Sequence, residues 1–176
     1  MNTLIPCRGL VLYLCCTKMP PFTLPSCSTL FRSYTAVDNA LPARAIIYDV
    51  VDVNAHHASG GDLYRLVYEA KVEGSNGSKY VLTAAVVHPH PDKVVEWLRA
   101  SIHLLRQIPG WIGASVFVPH GRQVNDKLLV MYGFADASSF SSPEFESYCA
   151  DSTRLAIVHS SIHVERRLWA VDDADL

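Results

Sequence analysis

The chain has no apolar run near the ~18–20 residues needed to span a bilayer with a helix. Its longest early run, Gly9 to Cys16, is too short and is flanked by Arg8 and Lys18. An excess of positive charge is also missing. Among 176 residues, 15 are basic and 17 acidic, which excludes a strongly basic nucleic-acid binder. No C-x-x-C pair occurs, so zinc-site spacing is absent. Four of the five cysteines (Cys7, Cys15, Cys16, Cys27) crowd near the start and Cys149 stands alone. This fits reduced thiols in an intracellular protein better than a disulfide framework. No G-x-G-x-x-G, P-loop or G-x-S-x-G elbow appears, so nucleotide sites and nucleophile chemistry of those types have no support.

Acidic residues are missing from the first 37 positions altogether. That stretch carries Arg8, Lys18 and Arg32 with Pro6, Pro20, Pro21 and Pro25. The remainder holds 12 basic and 17 acidic residues, so the folded part is acidic. Three readings of residues 1–43 stay open. They are a targeting segment ending near Phe31-Arg32-Ser33-Tyr34, a true start at Met19, and a poorly structured arm. The expected location is intracellular and cytoplasmic, with mitochondrial as the alternative.

What is present after that is well patterned. With 49% apolar and 18% charged residues, the chain can bury a core. Residues 44–53 and 63–72 favour strands, and together form an N-terminal β-hairpin extension spanning 44–78. Asn76-Gly77 marks a turn. Residues 80–87 form a third strand. Asp92 to Ile108 switches to a helical period through Val94, Leu98, Ile102 and Leu105 and stops at Pro109-Gly110. Strands follow at 111–118 and 128–134. Ser142-Pro143 then opens a helix running to about Val158, and a last strand covers 162–171. Residues 172–176 form an acidic tail. From residue 80 the order is β-α-β-β-α-β, the ferredoxin-like arrangement of an α+β fold.

Two helices on one side leave the other face of that sheet uncovered, yet alternate residues on both faces are apolar. An exposed apolar sheet of this size exceeds what a monomer tolerates. The expectation is a homodimer packed sheet to sheet, forming a dimeric α/β barrel, unless residues 1–72 fold back over the sheet.

Three segments carry a resemblance. Val87-His88-Pro89-His90-Pro91-Asp92-Lys93-Val94 leads into the first helix, and Ile108-Pro109-Gly110-Trp111-Ile112-Gly113 opens the next strand. Tyr132-Gly133-Phe134-Ala135-Asp136-Ala137-Ser138-Ser139-Phe140 is followed by Ser142-Pro143-Glu144-Phe145. Over residues 79–171 the chain is similar to antibiotic-biosynthesis-monooxygenase-like domains of the dimeric α/β-barrel superfamily. The resemblance implies that fold, and it specifies fold better than chemistry. The family includes cofactor-free oxygenases of polycyclic phenols, polyketide cyclases, haem-degrading enzymes and members without activity. Haem degradation is disfavoured, since residues 142–153 contain no histidine.

His88 ends a strand where this fold places a pocket mouth, and a neutral imidazole there can take a phenolic or α-carbonyl proton. A solvated strand-end histidine is the plainer alternative. Tyr132 can hydrogen-bond a substrate carbonyl, and Arg154 can steady an enolate or peroxide anion. A surface pair with Asp151 is the simpler role for Arg154. Trp111, Trp97, Tyr148 and Phe134 would line an aromatic substrate, or simply pack the core. His159 and His163 are spaced as helical metal ligands, but Ser160-Ser161 ends the helix between them. No metal site is expected.

Two functions follow. One is a small dimeric enzyme that deprotonates an aromatic or polyketide-like molecule between the sheet and its helices. Oxygenation or cyclisation would follow with no metal or organic cofactor. The other is a non-catalytic dimeric module that binds a small hydrophobic ligand or a protein. A cavity between sheet and helices filled by Trp97, Trp111 and Tyr132, and well below ~300 Å³, decides against the enzyme.

Overall fold

A computed structural model describes residues 8–15, 28–38, 42, 44–51, 62–75, 77–120 and 127–171. Its strands are β1 (Gly9–Cys15), β2 (Ser28–Ala36), β3 (Arg44–Val50), β4 (Asp62–Lys71), β5 (Tyr80–Val87), β6 (Trp111–Pro119), β7 (Leu128–Phe134) and β8 (His163–Val171). Its helices are α1 (Pro91–Leu105), α2 (Pro143–Ala150) and α3 (Ser152–Ser160), with a 3-10 turn at Ala137–Ser141.

The strands close into a barrel in the order β1-β3-β2-β8-β5-β7-β6-β4, and β1 returns to pair with β4. Every neighbouring pair is antiparallel. The second half, β5 to β8, has the order fourth-first-third-second, which is the expected ferredoxin-like sheet. The first half has the same order, β4-β1-β3-β2. The chain therefore carries two sheets of one topology. They join at two equivalent seams, where the second strand of each half meets the fourth strand of the other.

Three expectations change. The segment read as a poorly structured arm, 1–43, contains β1 and β2, which are barrel strands. The segments read as 44–53 and 63–72 contain strands β3 and β4, but these do not pair as a hairpin. β3 pairs with β1 and β2, while β4 pairs with β1 and β6. The apolar face that called for a second chain is covered by β1–β4 of the same chain. The exception allowed for residues 1–72 is thus what the fold uses, and the ground for a sheet-to-sheet homodimer is gone. Residues 1–7, 16–27, 52–61 and 172–176 lie outside the described residues, and with them Met19, His56, His57 and the acidic tail.

Alternation now explains both faces. In β5, Val81 and Thr83 point into the barrel while Leu82, Ala84 and Val86 point to the helices. The barrel core gathers Leu10, Leu12, Tyr34, Ala45, Tyr64, Phe117, Leu129 and Trp169. A second core lies between the C-terminal sheet and α1–α3. There Val94, Leu98 and Leu105 of α1 meet Val116, Val130 and Phe134.

Candidate functional sites

The first site lies between the C-terminal sheet and its helices. The structure brings four of the seven sequence-selected residues together there: Tyr132 from β7, Trp97 from α1, Tyr148 from α2 and Arg154 from α3. The Tyr148 hydroxyl donates to the Tyr132 hydroxyl at 3.1 Å. Trp97 stacks on Tyr148 with ring centroids 6.3 Å apart. The Arg154 guanidinium sits 5.3 Å from the Tyr148 ring centroid and donates to the Cys149 carbonyl at 2.8 Å. The Asp151 carboxylate accepts instead from the Arg154 backbone N–H at 2.8 Å, so it is a helix cap and not the expected surface partner of the guanidinium.

Burial raises the pKa of both tyrosines, that of Tyr148 well above the ordinary value, so both stay neutral at physiological pH. The Trp97 indole N–H is buried without a hydrogen-bond partner among the described residues. The space left among these groups is only about 40 Å³, enough for a few water-sized molecules. Trp97, Tyr132 and Tyr148 fill the cleft. An aromatic substrate does not fit this arrangement.

The other three selected residues stand apart. His88 donates to or accepts from the Ser160 hydroxyl at 3.0 Å, its Nδ1 accepts from the His90 backbone N–H at 2.9 Å, and it does not line the cleft cavity. Phe134 is fully buried, edge-on to Phe140 at 4.8 Å and to Phe145 at 6.2 Å. Trp111 is buried in the same core, its N–H unpartnered among the described residues.

The second site was not anticipated. One end of the barrel lumen opens into a cavity of about 310 Å³, with walls drawn from β1 through β7. Leu10, Tyr34, Ile47, Val81, Phe117 and Met131 make it apolar. Gly113 of β6 and Gly133 of β7 are directly paired and both line the cavity, where they let neighbouring groups approach the strand closely. A Cβ at Gly113 would lie 2.9 Å from the Ala70 carbonyl, and one at Gly133 would overlap the Ser78 side chain.

Charge gathers at this mouth. Arg8 reaches Glu69 at 3.1 Å and Lys71 reaches the same carboxylate at 2.8 Å. Arg32 lies across Gly77, where a Cβ would overlap its guanidinium, and donates to the Ser78 carbonyl at 3.3 Å. Gly77 has a φ of 32°, a further reason for glycine at this turn. The signal available in the sequence was glycine at alternate strand positions, Gly113 beside Ser115 and Gly133 beside Met131. Recognising Arg32 required knowing that β2 is a barrel strand.

A surface hollow of about 360 Å³ also lies between β4, β6 and α1, rimmed by Arg65, Asp92 and Glu96. Its walls come from those three elements alone. The lumen draws its walls from seven strands.

No protein-family model matches the chain, and no curated protein matches it. Solved structures do. One is a ferredoxin-fold protein related to antibiotic biosynthesis monooxygenases from Listeria monocytogenes. It has 11% identity and a TM-score of 0.59, with 96% of each chain covered. A monooxygenase-like protein from Listeria innocua has 10% identity and a TM-score of 0.55, covering 96% of this chain and 95% of that one. A staphylococcal protein described as a major regulator of pathogenesis has 11% identity and a TM-score of 0.57, covering 93% and 98%. The match therefore extends beyond residues 79–171 to both halves of the barrel. At this identity the likeness establishes architecture: the chain has the fold of ferredoxin-fold proteins related to antibiotic biosynthesis monooxygenases.

Proposed function

We propose that the protein binds a small apolar molecule inside its barrel. The observation that carries this reading is the lumen cavity of about 310 Å³, which reaches the lower bound of ordinary ligand sites, whereas the helix-side cleft holds about 40 Å³. Eight-stranded barrels have interiors that are either filled by side chains or hold one small ligand. The space left among Leu10, Tyr34, Ile47, Phe117 and Met131 supports the second case here. The reading is a binding function without catalysis, housed within one chain. Ser115 lines the lumen, so Ser115→Phe should fill it. Titration with a fluorescent apolar probe should show saturable one-to-one binding that this variant abolishes while its circular dichroism is unchanged. Equal binding by a folded Ser115→Phe variant would refute the lumen site.

A second reading keeps catalysis at the helix-side cleft. It is supported by the buried Arg154 and by a Trp97 N–H with no partner among the described residues, on side chains that line the cleft with a neutral tyrosine pair. Buried polar groups of this kind need a reason to persist. A phenolic substrate would enter only if α2 and α3 moved off the sheet. Oxygenation is the reaction to test, since two structural neighbours carry monooxygenase descriptions. Substrate-dependent O2 uptake by metal-free protein, lost in Tyr132→Phe but not in His88→Ala, is the outcome this reading requires.

A further inference from the structure

We infer that the lumen selects an apolar molecule bearing a carboxylate, with Arg32 as the partner of that headgroup. The inference rests on the lumen reading above and adds the ligand's chemical class. Its starting point is a local reversal of charge. The chain carries more acidic than basic residues, yet the cavity mouth presents Arg8, Arg32 and Lys71 against one carboxylate, Glu69. Arg8 and Lys71 both bond that carboxylate. Arg32 does not. Among the described residues it has a single hydrogen bond, to a neutral carbonyl, at the long distance of 3.3 Å.

A guanidinium offers five N–H donors in a planar fork that matches a carboxylate in two-point contact. Among the described residues, most of that capacity is unused at Arg32. The side chain is also half-buried and held in place, because Gly77 leaves it room to lie flat against the turn. It sits on the same face of β2 as Tyr34, and both line the cavity. Below it the walls are Leu10, Ile47, Val81, Phe117 and Met131, with no second charge among them. A cation fixed at the rim of an apolar pocket fits a ligand with one anionic end and an apolar body. A polyanion would meet Glu69 and the acidic remainder of the chain.

The test uses the full chain and three probes of equal tail length: decanoate, decanol and decyltrimethylammonium, each below its aggregation concentration, by calorimetric titration. Decanoate is expected to bind at least about tenfold tighter than decanol, the scale of one charge-assisted hydrogen bond. The cationic probe should bind weakest. Added salt should weaken decanoate and leave decanol unchanged. In Arg32→Gln the difference between decanoate and decanol should vanish, with decanol affinity retained. Equal affinities of the wild-type protein for decanoate and decanol would overturn the headgroup inference and leave the lumen reading intact, and this comparison needs no variant to fold. Binding of none of the three probes would overturn the lumen reading itself. Replacing decanoate by naphthoate distinguishes an aliphatic from an aromatic body, since a ring acid requires Tyr34 and Phe117 to admit a planar group.

Discussion

At the scale of single residues, the buried tyrosines set how the protein responds to alkali. Tyr132 and Tyr148 share a hydrogen bond in a dry cleft, and burial raises both pKa values. Tyr64 is pushed up to about 12 by burial and by the nearby Asp62 carboxylate. A tyrosine that holds its proton longer in the folded chain than in the unfolded one stabilises the fold below the ordinary value of about 10. That stability is lost as pH rises from there through the folded-state pKa. The thermal midpoint should therefore stay level up to about pH 10 and fall beyond it, with tyrosinate absorbance lagging for part of the eight tyrosines. Ordinary ionisation of all eight with no fall in the midpoint would contradict this. In Tyr148→Phe the alkaline fall should be shallower, and the loss at neutral pH should be about 1–2 kcal/mol, since the Tyr132 hydroxyl loses its partner. Phe134→Ala removes a fully buried ring from two aromatic neighbours, Phe140 and Phe145, and should cost about 3–5 kcal/mol in chemical denaturation. The inward positions of Trp97, Tyr132 and Tyr148 were legible because periodicity reveals which face of an element is apolar. That they fill their cleft, and do not line it, depends on side-chain volume across three elements. No single stretch of sequence reports that.

At the scale of elements, the break between α2 and α3 organises the helix-side cleft. Periodicity alone predicts one helix from 143 to about 158, but Asp151 has an extended ψ of 128° and ends one helix while starting the next. Its carboxylate accepts from the backbone N–H of Arg154 and so fixes the first turn of α3, from which the Arg154 guanidinium reaches back to Cys149. Asp151→Ala should cost about 1 kcal/mol, as for a typical N-cap. Asp151→Asn should recover most of it, because an amide oxygen can accept the same bond. No change on Asp151→Ala in a urea melt would show that the cap is dispensable. The sequence did contain this signal, an aspartate followed by Ser152-Thr153 that interrupts the apolar pattern between Cys149 and Leu155. Strand existence was easier to read than strand pairing. Segments 44–53 and 63–72 are rich in β-branched and aromatic residues, so β3 and β4 were legible. What separates them in space is β1, more than thirty residues earlier in the chain, and such non-local pairing leaves no mark on either segment.

For the whole molecule, the governing fact is that each half has the same strand order and each supplies what the other lacks. A four-stranded sheet with two apolar faces is half of a core, and here the second half precedes it in the same chain. Closure leaves no free strand edge among the described residues, and their exposed large apolar side chains (Val37, Val51, Val72, Leu155 and Ile162) are scattered along the chain. Light scattering should therefore give the mass of one chain, and a stable dimer would reopen the sheet-to-sheet arrangement in a form this barrel does not provide. A truncation separates the competing roles of the N-terminal segment more sharply. Phe31-Arg32-Ser33-Tyr34 looks like a processing site in sequence, but in the structure Arg32 and Tyr34 line the lumen from the middle of β2. Deleting residues 1–37 removes β1 and β2, strips β4 and β8 of one neighbour each, and uncovers Phe117, Leu129 and Trp169 of the opposite sheet. Such a chain should lose cooperative unfolding and either precipitate or pair with a second copy through the bared face. A soluble monomer with an unchanged melting transition would mean that the C-terminal half completes its core by itself. In that case β1 and β2 would be dispensable, and the lumen with its Arg32 rim could not be the reason the barrel closes.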